Sequence, residues 1–412
     1  MNEMILIGNG GNRRTMGLQS AKLKLGLPPA LELNYIDLLQ GNSSLTSFID
    51  AHNVDKSSKP LLRLDAPGEN FEVERMLIAN GAPDALNYDD DLSPSYGVKY
   101  PQPISRKNAL IMHEQRGRLY HPSQWFRGYK RLLAQLSREA KGLWEEPNWM
   151  NAPQDIAIMF DKRATYNVLS SAGIPMPRRL GEPEAITDYD VLRELMKTRR
   201  MPRIFLKQAS GSGACGVMAY QINPQTGAEI AITTIGVENY MAKPPLYYNV
   251  KRLQRYTDRS TIRQIINWLL SHGAHAEQWV AKASFQERVF DIRQLVVNGS
   301  SCHSVARVSS TPITNLHLQS TRMSFDDVGL SQEAQIGIRQ CAERTLQAFP
   351  KSSVAGIDIA LSAGAGQPYV LDVNPFGDLL YEVSYEGYNT YEWEMKQIAA
   401  QQKAIGKREI VQ

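Results

Sequence analysis

The sequence predicts a mixed protein, an α/β unit followed by α+β structure, and three observations predict it. The chain opens on a short apolar strand, Met4-Ile5-Leu6-Ile7, a Gly8-Asn9-Gly10-Gly11-Asn12 turn, a helix from about Arg13 to Gly26 and a second strand near Leu31 to Ile36. Strand, glycine turn, helix and strand in that order begin a parallel sheet. Beyond Trp144 to Trp149, a Pro- and Trp-rich connection, the pattern changes to strands joined by small-residue loops. Near the end, Gly356-Ile357-Asp358 closes one apolar run and Leu371-Asp372-Val373-Asn374-Pro375 closes the next. With 412 residues the chain is long enough for more than one core.

The elements follow in order. Asp161-Lys162 opens a helix through Leu169 that stops at Gly173, where Pro175 and Pro177 prevent continuation. Pro202 to Lys207 reads as a strand running into the loop Gln208 to Gly216 and a further strand from Val217, the shape of a flap. Lys251, Arg252, Arg255, Arg259 and Arg263 run into the pattern Ile262, Ile265, Ile266, Leu269, Leu270, and read as the wet face of an amphipathic helix. Ala276 to Val280, Phe290 to Val297 and Val305 to Val308 read as strands. A helix from Gln332 to Ala348 precedes the two acidic strand ends.

Composition excludes several classes. A net charge of +4 without a basic and aromatic tract argues against nucleic-acid binding. No run of roughly eighteen apolar residues indicates a membrane span, and the first apolar run is too short for a signal-peptide core. Cys215, Cys302 and Cys341 are odd in number and widely spaced, which fits a reducing cytoplasm rather than a disulfide framework or a cysteine zinc site.

The acidic strand ends carry the chemistry. Side chains alternate along a strand, so Asp372 and Asn374 point the same way, roughly 7 Å apart, and Asp358 can join them from the neighbouring strand. Oxygen donors without His or Cys suit Mg²⁺. The small-residue loop from Ser210 to Gly216 lets backbone amides approach an anion, and Lys207 stands just before it. Together these read as a Mg-nucleotide site, the alternative being two strand ends with solvated turn residues. Arg293 and Arg307 read either as phosphate ligands or as salt-bridge partners. His272 and His275 fit a loop better than a metal pair, Cys215 is a small flap residue, and Trp279 and Phe290 read as core.

In order, the chain presents Asp161-Lys162, Lys207 with its glycine loop, Glu277-Gln278-Trp279-Val280, Asp291-Ile292-Arg293, Arg307, Asn315-Leu316-His317, Asp358 and Asp372-Val373-Asn374. This series resembles the ATP-grasp superfamily over about residues 155 to 385, especially the branch of ribosomal-protein glutamyl ligases and related peptide ligases. The resemblance implies an ATP-grasp fold: an N-terminal Rossmann-like pre-ATP-grasp domain over 1–150, a small subdomain with the phosphate flap over 151–278, and a C-terminal subdomain with the Mg site over 279–412. It implies that Lys162 and Lys207 contact ATP phosphates, that Gly211, Ser212 and Gly213 close over them, and that Gln278, Trp279 and Val280 form the adenine hinge. Arg293 and Arg307 would face the transferred phosphate and the substrate carboxylate. Asp358, Asp372 and Asn374 would bind Mg²⁺, with Mn²⁺ as a substitute, and Asn315 would lie beside them.

The chain departs from the pattern in having Asp372 where Glu is usual, and Ala281 to Val289 leaves the ribose-binding acid open, Glu287 being one candidate. Asn374-Pro375-Phe376-Gly377-Asp378 resembles the ending of macrocycle-forming peptide ligases, which raises a peptide substrate. The implied activity is ATP-dependent ligation of a carboxylate to an amine, on small-molecule or peptide substrates, through an acyl phosphate, with ADP, phosphate and an amide as products. A small-molecule kinase on the same site and a non-catalytic nucleotide-binding regulator are the alternatives. Arg63, Asp65, Glu69 and Arg75, around Ala66-Pro67-Gly68, are candidate substrate contacts or ordinary capping and surface residues.

Overall fold

A computed structural model describes residues 3–85, 103–211, 215–315, 318, 320–378 and 380–409. Three sheets organise it. The first is parallel, in the order β2-β1-β3, from β1 (Met4–Gly8), β2 (Leu31–Asn34) and β3 (Leu61–Leu64). The opening helix, Arg13–Lys24, is capped by Asn12, whose side chain accepts from the Thr15 amide at 2.8 Å. The second strand is shorter than its apolar run suggested. After Asn34 the chain turns into the helix Tyr35–Gln40, and buried Tyr35 donates its hydroxyl to the Asp65 carbonyl at 2.6 Å. The connection near Trp149 runs beside β3, with the Leu62 amide donating to Asn148 O and the Met150 amide to Leu62 O.

The second sheet is antiparallel, in the order β7-β6-β5-β4-β8: β4 (Arg203–Lys207), β5 (Val217–Ile222), β6 (Glu229–Glu238), β7 (Leu246–Tyr256) and β8 (His275–Gln278). The helices Tyr189–Thr198 and Arg259–Ser271 cover one face through Tyr189, Leu192, Ile262, Ile265, Ile266 and Leu269. This corrects the reading of the basic stretch. Lys251, Arg252 and Arg255 lie on strand β7, and only Arg259 and Arg263 belong to the helix. The segment Gly117 to Leu119, from the N-terminal half, adds to the edge of β7: the Leu119 amide donates to Tyr247 O at 2.8 Å and the Asn249 amide to Gly117 O at 2.7 Å.

The third sheet contains β9 (Ser284–Phe285), β10 (Arg288–Val297), β11 (Ser300–Ser309), β12 (Thr321–Met323), β13 (Val354–Leu361) and β14 (Pro368–Asn374). Its main path is β12-β11-β10-β13-β14, antiparallel throughout, with β9 pairing β10. The helix Gln332–Gln347 packs on it through Ile338, Ala342 and Leu346, and Met159 and Leu169 from the helices Pro153–Phe160 and Lys162–Ser171 enter the same core. The last helix, Thr390–Glu409, returns to the first unit. Tyr391, Trp393 and Met395 share a core with Met4, Leu6 and Leu18, and Arg63 pairs with Glu394 at 2.7 Å, both buried.

Candidate active site

The second and third sheets meet at the ends of β4, β8, β13 and β14. Asp161 ends one helix and caps the next, accepting from the Arg163 amide at 3.0 Å. That turn starts the following helix at Lys162, whose amide donates to Ala209 O at 2.9 Å, so the helix start and the loop after β4 are tied together. The Lys162 ammonium donates to both oxygens of Asp372, at 2.8 and 3.0 Å, and to Gly211 O at 3.3 Å. Lys207, the last residue of β4, donates to Leu371 O at 2.9 Å and pairs with Glu277 of β8 at 2.5 Å. Both side chains thus reach β14, Lys207 from the end of β4 and Lys162 from a helix start tied to the loop after β4.

Asp358 and Asp372 are register partners on β13 and β14, with an irregularity just after Asp358, and Gly356 stands opposite Asn374. The Asn374 amide group donates to Gly356 O at 3.1 Å. Arg293, on β10, clasps Asp358 at 2.5 and 3.1 Å and also bonds Asp378. Arg307, on β11, bonds Asp291 at 2.7 Å and Asp358 at 3.1 Å. Close approach of the strand helps here, since a Cβ on Gly356 would lie 3.3 Å from the Arg293 guanidinium.

Two cavities meet at these residues. One of about 100 Å³ has apolar walls from Phe205, Val217, Val280, Ile313 and Leu371, with Lys207 and Lys282 among them. The other, about 500 Å³, extends to the N-terminal unit and is lined there by Asn12, Arg14, Ala66, Pro67, Gly68, Glu69 and Glu74. Lys162, Gly211, Cys215, Arg307, Asn315 and Asp372 line both. Two antiparallel sheets thus close on one cleft, with a loop above it, a strand-end hinge between them and an acidic pair beneath, and the sequence blocks meet there in order. This is the arrangement that the sequence resemblance to the ATP-grasp superfamily implies.

No family model and no curated protein matches the chain. Three solved structures illustrate what its structure is similar to. The D-cycloserine synthetase DcsG is 12% identical, with 96% of this chain and 99% of that one covered and a TM-score of 0.49. The ATP-grasp ligase PsnB, complexed with minimal precursor, Mg and ADP, is 12% identical, with 97% and 98% covered and a TM-score of 0.48. The D-alanine–D-alanine ligase from Bacillus anthracis complexed with ATP is 11% identical, with 99% of each chain covered and a TM-score of 0.48.

Within this cleft the electrostatics are those of buried, matched charges. Burial raises the Asp358 carboxyl, but the guanidiniums of Arg293 and Arg307 override it and hold the group at about 2. Burial likewise opposes the charge of Arg293 and Arg307, and their carboxylate partners prevail and raise both. Burial raises Glu277, against the pull of Lys207. Burial also pushes the Cys215 thiol up to about 12, so it is a neutral small residue of the wall. Among the described residues no group of three His, Cys, Asp or Glu could hold a metal. The candidate set is two carboxylates, Asp358 and Asp372, with the Asn374 amide. These are hard oxygen donors on adjacent strand ends, and that donor chemistry fits Mg²⁺.

Other expected residues fall as follows. At the hinge the Gln278 amide donates to Arg178 O at 2.8 Å and the Trp279 amide to Arg203 O at 3.2 Å, whereas the Val280 amide has no partner among the described residues. Gln278 and Val280 line the smaller cavity. The Trp279 ring instead packs on Phe205, 5.3 Å between centroids, and under the Arg203 guanidinium at 4.1 Å. Ser212, Gly213, Leu316 and His317 lie outside the described residues. Glu287 is exposed in the β9–β10 turn and lines neither cavity. His272 bonds Ser123 at 2.8 Å while His275 sits on β8 beside Glu277, so the two form no metal pair. Of the N-terminal candidates, Glu69 lines the larger cavity; Arg63 is committed to Glu394, Asp65 to Arg14 at 2.7 Å, and Arg75 faces Glu72 at 3.6 Å.

Three cleft residues escaped the sequence reading. Lys282 bonds Thr314 at 2.6 Å and Asp291 at 3.2 Å, and its only signal was a lone lysine among small residues after the hinge. Gln208 is 2% exposed, and its Nε2 has no hydrogen-bond partner among the described residues. Glu74 sits in the helix Phe71–Asn80 and has no sequence signal distinguishing it from a surface glutamate.

Proposed function

We propose that this chain is an ATP-dependent carboxylate–amine ligase acting through an acyl phosphate. The observation that carries the reading is the shared wall: one cationic cluster belongs at once to a small, apolar-walled pocket and to a second cavity five times its volume. A nucleotide base seated against Phe205, Val217 and Ile313, with the unpartnered Val280 amide as a donor, directs its phosphates to Lys162, Lys207 and Arg307. The larger cavity then holds the acid on the far side of the γ-phosphate.

The chemistry follows from placement. The acid's carboxylate oxygen attacks the γ-phosphorus and ADP leaves with the bonding pair. Lys207, Lys162 and Arg307 stand where negative charge grows, in a site that burial keeps at low dielectric. Arg293, beside Arg307, orients the acid. The amine nitrogen next attacks the acyl carbon, inorganic phosphate departs, and loss of a proton leaves the amide. Asp358, Asp372 and Asn374 would hold a Mg²⁺ ion, which neutralises phosphate charge when bound. The loop after β4 covers this junction through Gly211 and Cys215, which keeps water from the activated acyl group.

The segment from Asn374 to Asp378 lines the larger cavity, in support of an amino-acid or peptide substrate. The three cysteines are free, in support of a reducing compartment such as the cytoplasm. With a panel of carboxylic acids, Mg-ATP and hydroxylamine, the enzyme should release ADP and phosphate in step with a hydroxamate. A stable phosphorylated product would replace the ligase with a kinase, and AMP with pyrophosphate would refute attack at the γ-phosphate.

A further inference from the structure

The walls of the larger cavity are unevenly charged. Of its cations, Arg14, Lys162, Arg293 and Arg307 each hold a carboxylate, and Arg118 donates to the Gln115 side chain at 3.0 Å and stacks on the Tyr120 ring at 4.6 Å. Two lining carboxylates, Glu69 and Glu74, have no cationic partner among the described residues. Both stand on the N-terminal unit. Glu74 is half-buried; burial first and the carboxylate of Glu114 second raise its carboxyl, against a bond from the Glu69 amide. A desolvated carboxylate with only a like charge for company is matched to a cation that the chain does not itself supply.

The backbone around this pair is set in place. Asn9 donates its side-chain amide to Pro67 O at 3.1 Å and Gly68 O at 2.8 Å, pinning the loop that carries Glu69. Glu69 itself has φ of +67°, the left-handed region that a non-glycine residue occupies only when its surroundings hold it there. Gln208 lines the same cavity. Its Oε1 faces the loop after β4, where Cβ atoms on Gly211 and Gly216 would lie 3.5 and 2.6 Å from it, and its buried Nε2 is a donor without an acceptor. Cys215 lines the same cavity, and the charges of both Glu74 and Lys162 reach its thiol.

We propose that Glu74, with Glu69 at the rim, is the subsite for the ammonium group of the amine substrate, and that Gln208 donates to a carbonyl or carboxylate oxygen on the same molecule. The substrate class is then an α-amino acyl compound: an amino acid, an amino-acid amide or a peptide N-terminus. This rests on the ligase reading, which assigns the cationic wall to phosphate and acid. Tyr120 and Trp125 line the same cavity and supply an aromatic wall that tolerates a cation.

The test uses glycinamide as the ammonium probe and N-acetylglycinamide, which lacks the charge, as its control, followed by saturation-transfer NMR at pH 7 with and without the Mg complex of AMPPNP. Wild-type protein should bind glycinamide and not its acetylated form. Glu74→Gln should weaken glycinamide about tenfold or more, Glu74→Asp less, while AMPPNP affinity stays unchanged. Gln208→Leu, a variant independent of the Glu74 helix, should weaken glycinamide but leave ethylammonium as it was. Equal glycinamide binding by wild type and Glu74→Gln, or equal binding of the acetylated control, overturns the subsite. Failure of wild-type protein to bind AMPPNP would instead remove the nucleotide reading, and the amine measurement made without nucleotide stands apart from it.

Discussion

Acidification should loosen the junction between the N-terminal unit and the second sheet through His272. This residue follows the helix Arg259–Ser271, is 6% exposed, and bonds the Ser123 hydroxyl at 2.8 Å. Burial, aided by His121, lowers its pKa from 6.5 to about 3. The imidazole is therefore neutral in the fold and takes up a proton in the unfolded chain first. Its contribution is complete above pH 6.5 and is lost as pH falls from 6.5 toward 3. At pH 5.5 the unfolded state is about ten-elevenths protonated and the folded state almost not, a loss of about 1.4 kcal/mol relative to pH 7.5. His121, lowered to about 4, and His275, lowered further, act with the same sign; Glu277, raised by burial, acts with the opposite one. The measurement is thus a difference between wild type and His272→Gln, which cancels these groups and keeps a polar partner for Ser123. Denaturant titrations at pH 7.5 and 5.5 should show the wild type losing about 1.4 kcal/mol more than the variant. Identical pH dependence in the two proteins would refute a buried neutral His272.

Asp358→Ala and Asp372→Ala should each lower Mg-dependent AMPPNP affinity at least about tenfold by calorimetry while the fold survives, since Arg293 keeps Asp378 and Arg307 keeps Asp291; equal Mg dependence in wild type and both variants would remove the metal assignment. Lys282→Met should weaken AMPPNP about tenfold, because it removes one buried cation of the smaller cavity and its bonds to Thr314 and Asp291, and unchanged binding would make Lys282 purely structural. Gly117→Ala should cost roughly 1–2 kcal/mol and speed hydrogen exchange at the Asn249 amide, because φ is +79° and a Cβ would lie 2.9 Å from Asn249 O; unchanged exchange would show that the segment does not hold the β7 edge.

Much of the site was legible because strand geometry is local. Alternation places Asp372 and Asn374 on one face, and apolar runs locate β13 and β14, so the acidic pair could be read directly. The helix opened by Asp161 was legible for the same reason, a capping residue followed by periodic apolar positions. What escaped depends on distant neighbours. Arg63 and Glu394 are 331 positions apart, so nothing local showed that Arg63 is a buried structural partner and unavailable to substrate. The basic stretch was misread because β7, an edge strand, carries its exposed Lys and Arg next to a true amphipathic helix, and the two patterns run together across Thr257-Asp258. Glu74 and Gln208 look like any helix glutamate or loop glutamine until the cavity assembles around them. Arg293 and Arg307 read either as phosphate ligands or as salt-bridge partners; the structure shows them clasping Asp358 while lining the larger cavity.

That double role bears on how a polyanionic nucleotide enters a cleft whose cations are already paired. Removing a carboxylate from a buried Arg or Lys without replacement is costly, typically 3–5 kcal/mol, whereas exchanging it for a phosphate oxygen keeps the pairing intact. Lys162 shows the exchange most clearly, since one ammonium holds Asp372 from below and Gly211 O from the loop above. A phosphate that takes Lys162 frees Asp372 and competes for the same donors as the loop carbonyl. The freed carboxylate then needs a cation of its own, and so does Asp358 if Arg307 turns toward phosphate. The divalent ion that accompanies ATP supplies that charge, so nucleotide and metal should bind as a coupled pair and each poorly alone. Calorimetry of AMPPNP over a series of Mg²⁺ concentrations should show affinity rising together with Mg²⁺, and the dependence should vanish in Lys162→Met, where Asp372 begins without its ammonium and can take the ion before nucleotide arrives. Retention of the full Mg²⁺ dependence in that variant would refute the exchange.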